Sequence, residues 1–224
     1  TVALTSDAAE VQSGVFTVTA TFDEAVTGFE IGDISLNNAT TSNFIATSAT
    51  VYTVDVTPTA DGAVTVDVAA DVAEDTATNG NTEAPQISVT TDQTAPTVAL
   101  TSDAAEVQSG VFTVTATFSE AVTGFTAEEI VVGNGTKGTL NGTGKTYTID
   151  VTPTVDGAVT VDVAADVAED TATNGNTAAT QLSVTTDQTA PTVALTSDAA
   201  EVQSGVFTVT ATFDEAVTGF EIGD

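Results

Sequence analysis

The chain contains no cysteine, histidine, methionine or tryptophan, and its only basic side chains are Lys137 and Lys145. Each absence removes a class of chemistry. Without cysteine there are no disulfide staples and no thiolate metal sites, so bridges give no reading of the redox compartment. Without histidine no serine or threonine has its usual general base, which excludes Ser-His-Asp hydrolase triads. Thirty-two acids against two bases give a formal charge of −30. That balance argues against nucleic acid or an anionic membrane as partner and makes cations the natural counter-charge. No run approaches the roughly 18 apolar residues of a membrane-spanning helix, and no signal peptide is visible. An enzyme is not expected.

What is present points to folded domains. Only 15% of residues are charged and 41% are hydrophobic, and the apolar ones alternate along the chain, so this is not a chain disordered through low hydropathy. The segment TVALTSDAAEVQSGVFTVTATF begins at Thr1, Thr97 and Thr192, a spacing of 96 and then 95 residues, and residues 192–224 repeat residues 1–33 without a change. A second block, GAVTVDVAADVAEDTATNGNT, starts at Gly62 and Gly157, and SVTTDQTAP closes each full repeat. A period of this length suits a small domain with its own core better than a solenoid unit. The expected organisation is repeat 1 at 1–96, repeat 2 at 97–191, and an incomplete repeat 3 at 192–224 with its first two strands and the start of a third.

Period-two alternation is clearest at Val15–Phe22, with Phe16, Val18, Ala20 and Phe22 on one face and Val15, Thr17, Thr19 and Thr21 on the other. Tyr52–Val56 and Val64–Val68 follow the same rule. Val2–Thr5, Ile34–Asn37, Asn43–Ala46 and Gln86–Thr91 are shorter strands between Gly, Asn, Asp and Pro turn signals. About seven strands in each repeat predict an all-β, immunoglobulin-like Greek-key sandwich. Ala69–Asp75 is read as a short helical turn, since Ala and Glu favour helix. The abundant threonine fits exposed strand faces; an ice-binding plane is disfavoured because Asp is mixed into those faces.

With the strands lettered A to G, the A–B loop and the end of strand G share one pole, and the B–C and F–G loops share the other. Head-to-tail stacking then predicts that Asp7, Glu10 and Asp92 of repeat 1 meet Glu120, Asp166, Glu169 and Asp170 of repeat 2. Asp103, Glu106, Asp187 and Glu215 form the corresponding set at the next junction. Converging carboxylates are costly without a cation, and calcium takes six to eight hard oxygen ligands from flexible loops. Calcium across the junctions is therefore the leading expectation. A weaker candidate lies within the F–G loop at Asp71, Glu74, Asp75, Asn79 and Asn81, against the plainer reading that Asn and Asp there cap their own backbone. Most acids on so charged a surface are simply solvated. Pro96 and Pro191 fix the chain direction into the next repeat.

Other patterns carry less. Asp23–Glu24 and Glu128–Glu129 are paired acids with no sign of a cleft, and Asp214–Glu215 repeats the first pair. Asn38-Ala-Thr, Asn134-Gly-Thr and Asn141-Gly-Thr match the glycosylation sequon but read as turns. The middle regions, 34–50 and 130–145, diverge between repeats; relaxed constraint on exposed strands explains this better than a tuned binding surface.

The ordered set F-T-V-T-A-T-F-[DS]-E-A-V-T-G-F, Y-T-[VI]-D-V-T-P, D-x-A-T-N-G-N and D-x-T-A-P resembles the bacterial Ig-like domains found in tandem arrays of large secreted adhesins and biofilm-associated surface proteins. The loop Asp75-Thr-Ala-Thr-Asn79-Gly-Asn81 is longer than the D-x-A-G-N frequent in that family. The resemblance implies secretion to the bacterial cell surface and a non-catalytic extender role, with neighbouring repeats of the same chain as partners. Lateral self-association into a filament or surface layer, and a glycan- or protein-binding module, are the alternatives.

Overall fold

A computed structural model of the chain describes residues 1–105, 107, 109–198 and 204–221. The first repeat carries β1 (Val2–Ser6), β2 (Val11–Gln12), β3 (Phe16–Phe22), β4 (Ile34–Asn37), β5 (Ala39–Ala46), β6 (Val51–Pro58), β7 (Gly62–Val68) and β8 (Ile87–Thr91). They form two sheets, ordered β1-β3-β6-β5 and β2-β8-β7-β4. Because consecutive strands repeatedly change sheet, the apolar faces of both are brought together, as in a Greek-key sandwich. The second repeat carries β9 (Val98–Ser102), β10 (Phe112–Val122), β11 (Ile130–Gly133), β12 (Gly135–Lys137), β13 (Asn141–Pro153), β14 (Gly157–Val163) and β15 (Leu182–Thr186). Its sheets are β12-β13-β10-β9 and β11-β14-β15. A hairpin of β16 (Val193–Ser197) and β17 (Val209–Phe213) follows. Among the described residues no helix is long and apolar enough to cross a membrane.

The predicted alternation sets the cores. Phe16, Val18, Ala20 and Phe22 are buried while Val15 is exposed, and β3 pairs with β1 on one side and β6 on the other. Val54, Val56, Val64, Val66 and Val68 close the interior from both sheets. Compact β-branched side chains suit this space, since they fit the pleat and lose little rotamer freedom on burial. At one end Phe22, Phe29 and Tyr52 meet edge to face at 5.1–5.8 Å, and Phe118, Phe125 and Tyr147 repeat the arrangement at 5.1–5.9 Å. Each tyrosine hydroxyl donates to a carbonyl of the loop that follows or ends the neighbouring strand, Val26 or Val122, so its polar end is satisfied inside the core. The core of repeat 2 shares no member with those of repeat 1.

Three features differ from the strand reading. Ala69–Asp75 is not a helical turn: Asp71 takes a left-handed φ of 61°, and the buried Asn81 side chain accepts from the Val72 and Ala73 amides, which supply no helical bonds. Short 3-10 turns at Ile31–Asp33 and Ala127–Glu129 precede β4 and β11. In the second of these, Glu129 accepts from Thr126, giving one acid of the Glu128–Glu129 pair a local capping role. The two-residue β2 runs parallel to β8 and lengthens that sheet's edge. Asn38 and Asn134 adopt left-handed φ of 58° and 56° and donate across their turns to the Ala60 and Val155 carbonyls, so these sequon asparagines serve as turn residues.

Candidate functional site

The two F–G loops have identical sequences from Gly62 to Thr82 and from Gly157 to Thr177, and they fold alike. In the second loop the buried Asn176 accepts from the Val167 and Ala168 amides at 3.0 and 2.8 Å and donates to the Ala164 and Thr177 carbonyls at 2.8 and 2.9 Å. Gly175 is needed beside it, because a Cβ there would lie 2.3 Å from Asp166 Oδ1 and 3.1 Å from its backbone Cα. At the tip Thr173 takes a φ of 65°, an unfavourable conformation for a β-branched residue. Asp170 holds that tip by accepting from the Ala172 and Asn174 amides at 2.7 and 2.9 Å and from Asn174 Nδ2 at 2.9 Å.

This preformed loop receives the end of repeat 1. Asn174 Nδ2 donates to the Asp92 carbonyl at 2.9 Å, and the Thr177 amide donates to the Pro96 carbonyl at 2.8 Å. Asp92 follows β8, its amide bound to the Gln12 carbonyl at 3.1 Å and its carboxylate accepting from Thr94 at 3.0 Å. Comparison of the two loops isolates what docking does. Asp170 and Ala172 are 4% and 3% exposed, whereas their counterparts Asp75 and Ala77, with the same internal hydrogen bonds, are not buried.

Docking brings Asp92, Glu120 and Asp170 together, with one carboxylate oxygen of each within 4.8 Å of the others. Glu120 reaches the group from the irregular stretch of β10, where pairing with β13 jumps from Thr117 to Val122. Burial raises the Glu120 carboxyl above its ordinary value, and the Asp92 and Asp170 charges add to the rise against an opposing contribution from Lys145. Lys145 is held nearby by donating to the Ser119 carbonyl at 2.9 Å. Ser119 stands where the other copies have Asp23 and Asp214, so repeat 2 presents one acid fewer at this position. Neither spacing nor alternation gives Lys145, Asn174 or Asp61 a place at the junction; the change from Asp23 to Ser119 between repeats is the available signal for a locally altered charge balance. Asp61 accepts from the Gln93 amide at 2.6 Å and Thr94 Oγ1 at 2.5 Å, which hold its carboxyl low and anchor the linker.

The other anticipated ligands are placed elsewhere. Asp7 accepts from the Thr17 amide at 2.6 Å within its own hairpin, Asp103 does the same with Thr113 at 2.7 Å, and Glu10 is exposed just before β2. Asp166 and Glu169 line a separate surface cleft with Thr123 and Gly124. Glu106 lies outside the described residues. At the second junction Asp187 and Glu215 border an open cleft with Asp156 and Asp214, and burial with those three charges raises Glu215. Within the first F–G loop, Asp75 and Asn79 bond each other at 2.8 Å, Asn81 bonds backbone only, Asp71 lies against Gly80, and the Glu74 backbone pairs with Thr27. That loop holds its own shape without gathering five ligands.

The raised Glu120 value gives a pH prediction in calcium-free solution. The ionised form costs the folded junction stability, fully so above the folded value, and this cost is relieved as pH falls through it. Asp61 and Asp75, lowered mainly by hydrogen bonds from Thr94 and Asn79, act oppositely: their contribution is present above the unfolded value and is lost as pH falls through their depressed values. Thermal unfolding should show stability rising on mild acidification from neutrality and falling in stronger acid. Glu120→Gln should weaken the first limb, the raised Glu215 carrying the remainder, and leave the second limb unchanged.

The family model for a bacterial Ig-like domain matches residues 1–90 and 92–186. Among solved structures, the crystal structure of invasin, a bacterial integrin-binding protein, is similar at 15% sequence identity and a TM-score of 0.32, with 86% of this chain and 42% of that chain covered. The chain thus spans less than half the length of that protein. No curated protein matches. Since the family model matches most of both full repeats, the chain belongs to the bacterial Ig-like domain family.

Proposed function

We propose that this chain is a non-catalytic extender segment of a long bacterial cell-surface protein of the adhesin kind, with calcium setting the stiffness of its repeat junctions. The observation that carries this reading is the junction itself: a preformed loop accepts the end of the preceding repeat through Asn174 and Thr177, and docking closes three carboxylates around one point. A spacer needs direction and resistance to bending. Both follow when each repeat fixes the next.

The trio suits a hard divalent cation. Carboxylate oxygens are the ligands calcium prefers, three such groups leave several coordination positions for water, and extracellular calcium sites in general bind weakly, at roughly 10⁻⁴–10⁻³ M. Asp170 is already oriented by its loop, so little ordering is left for the ion to impose. A cation would also offset the Asp92 and Asp170 repulsion that adds to the effect of burial on Glu120.

Calcium titration followed by thermal unfolding tests the metal component. At tenfold excess over the dissociation constant, linkage gives about 1.4 kcal/mol, which is roughly 5–10 °C for a unit of this size. Glu120→Gln should abolish the response while leaving the Asn174 contact in place. A wild-type midpoint unmoved by millimolar calcium would remove calcium from the proposal and leave hydrogen-bonded docking as the source of stiffness.

A further inference from the structure

When glycine follows asparagine, the next backbone nitrogen has no side chain beside it and readily reaches the asparagine amide carbon. Asn174-Gly175 is such a pair, and it makes the contact between repeats 1 and 2. Both halves are required by the fold. A Cβ at Gly175 would lie 2.3 Å from Asp166 Oδ1. Asn174 Nδ2 donates to the Asp92 carbonyl and to Asp170 Oδ2, each at 2.9 Å, and two acceptors on one side chain demand a donor there. The junction therefore carries a chemically labile pair by necessity.

The loop's own bonds leave the Gly175 nitrogen uncommitted. Gly175 faces Glu169 in a bridge whose flanking bonds run from the Asp170 amide to the Asn174 carbonyl at 3.2 Å and from the Asn176 amide to the Ala168 carbonyl at 2.9 Å. The Gly175 N–H takes part in neither. The side chain is what is restrained: with Nδ2 fixed between Asp92 and Asp170, the Asn174 amide carbon cannot turn onto that nitrogen without releasing both acceptors. Docking and chemical protection share one hydrogen bond.

We infer that Asn174 is a site of spontaneous deamidation gated by docking, and that its conversion loosens the junction irreversibly. When the end of repeat 1 lifts away, the Gly175 nitrogen attacks Asn174 Cγ. Its proton passes to Nδ2, which leaves as ammonia, and a succinimide ring closes. Water then opens the ring. Cleaving the bond from Cγ to the Gly175 nitrogen gives aspartate; cleaving the bond from the Asn174 backbone carbonyl carbon gives isoaspartate, with the main chain rerouted through Cγ. Water is the only co-reactant. Either product puts a carboxylate where the amide stood. An acceptor then faces the Asp92 carbonyl and the Asp170 carboxylate, and a fourth acid joins Asp92, Glu120 and Asp170. The contact that held repeat 1 cannot re-form. None of these steps involves calcium; only the docked contact is required.

The full chain, kept folded at mildly alkaline pH and then cut before aspartate, tests this by mass-spectrometric peptide mapping. The peptide 170–186 differs in sequence from its counterpart 75–91, so conversion at Asn174 is read separately. The exposed Asn141-Gly142 pair is the reference within the same molecule. Asp61→Ala frees the linker without touching the loop, since Asp61 holds the Gln93 amide and the Thr94 hydroxyl. It should speed conversion at Asn174 severalfold and leave Asn141 unchanged. Asn174→Asp stands for the product. In it the Thr177 amide, bound to the Pro96 carbonyl in the docked chain, should lose its protection from hydrogen exchange, while the Asn176 amide, bound to Ala168 within the loop, keeps its own. No conversion at Asn174 in Asp61→Ala, under conditions that convert the unfolded chain, would overturn the proposal. So would equal rates at Asn174 in wild type and Asp61→Ala, or a Thr177 amide as well protected in Asn174→Asp as in wild type.

Discussion

Asn176→Ala should destabilise the second repeat by roughly 3–5 kcal/mol, summing the cost of several stranded buried partners at about 1–3 kcal/mol each with partial access of water to some. Asn176 is 1% exposed, and all four of its side-chain bonds go to the backbone of its own loop. Removing it leaves the Val167 and Ala168 amides and the Ala164 and Thr177 carbonyls without their partners in a loop that has no strand ladder to replace them. A loss of that size is a large fraction of the roughly 5–15 kcal/mol stability of a typical domain. Denaturant unfolding should show two transitions, the one from repeat 2 moved to much lower concentration and the one from repeat 1 unchanged. Asn176→Asp should not rescue it, because a carboxylate presents an acceptor where the Ala164 and Thr177 carbonyls need a donor. Asn176→Ala also removes the support of the loop that carries Asp170 and Asn174, so the calcium response proposed for the junction should disappear with it.

Phe125→Ala should cost about as much, roughly 3–5 kcal/mol, from lost burial and the cavity left behind. Phe125 is 6% exposed and its ring meets Phe118 and Tyr147 edge to face, each at 5.1 Å, so part of the loss is the directional ring contact, about 0.5–1.5 kcal/mol per pair. Its position three residues after the end of β10 also makes it the anchor that turns the chain toward β11. Repeat 1 should again be spared, since the cores share no residue. Calorimetry that found one cooperative transition moved as a whole would show instead that the junction couples the repeats as tightly as a core does.

These two residues differ in how readable they were. The fold follows from alternation: Phe16 to Phe22 and Val64 to Val68 declare their buried face by spacing alone, and Ile34–Asn37 is a strand with the bounds that its neighbours suggest. Aromatic partnership needs only that two sheets pack. Asn176 was harder, because its part depends on left-handed backbone at Asp166 and Thr173, and no period in the sequence encodes that. Alternation of loops between poles is enough to put Asp92, Glu120 and Asp170 at one end of adjoining repeats. It cannot separate them from Asp7, whose carboxylate is taken by the Thr17 amide within its own hairpin. Nor can it show that Asn174 and Thr177 make the direct contacts, since an amide and a backbone N–H carry no compositional signal. Lys145 sits in the divergent middle, where comparing repeats gives no template for its reach to Ser119.

In the function proposed above, a docked, cation-responsive junction holds successive repeats in line. Small-angle X-ray scattering of the full chain, with calcium and with chelator, for wild type and Glu120→Gln, measures that directly. The expected profile is extended and narrow in its distribution of interatomic distances with calcium, broader with chelator for wild type, and indifferent to calcium for Glu120→Gln. Identical wild-type profiles in both conditions, at a dimension shorter than two repeats in line, would contradict both the docking and its control by a cation.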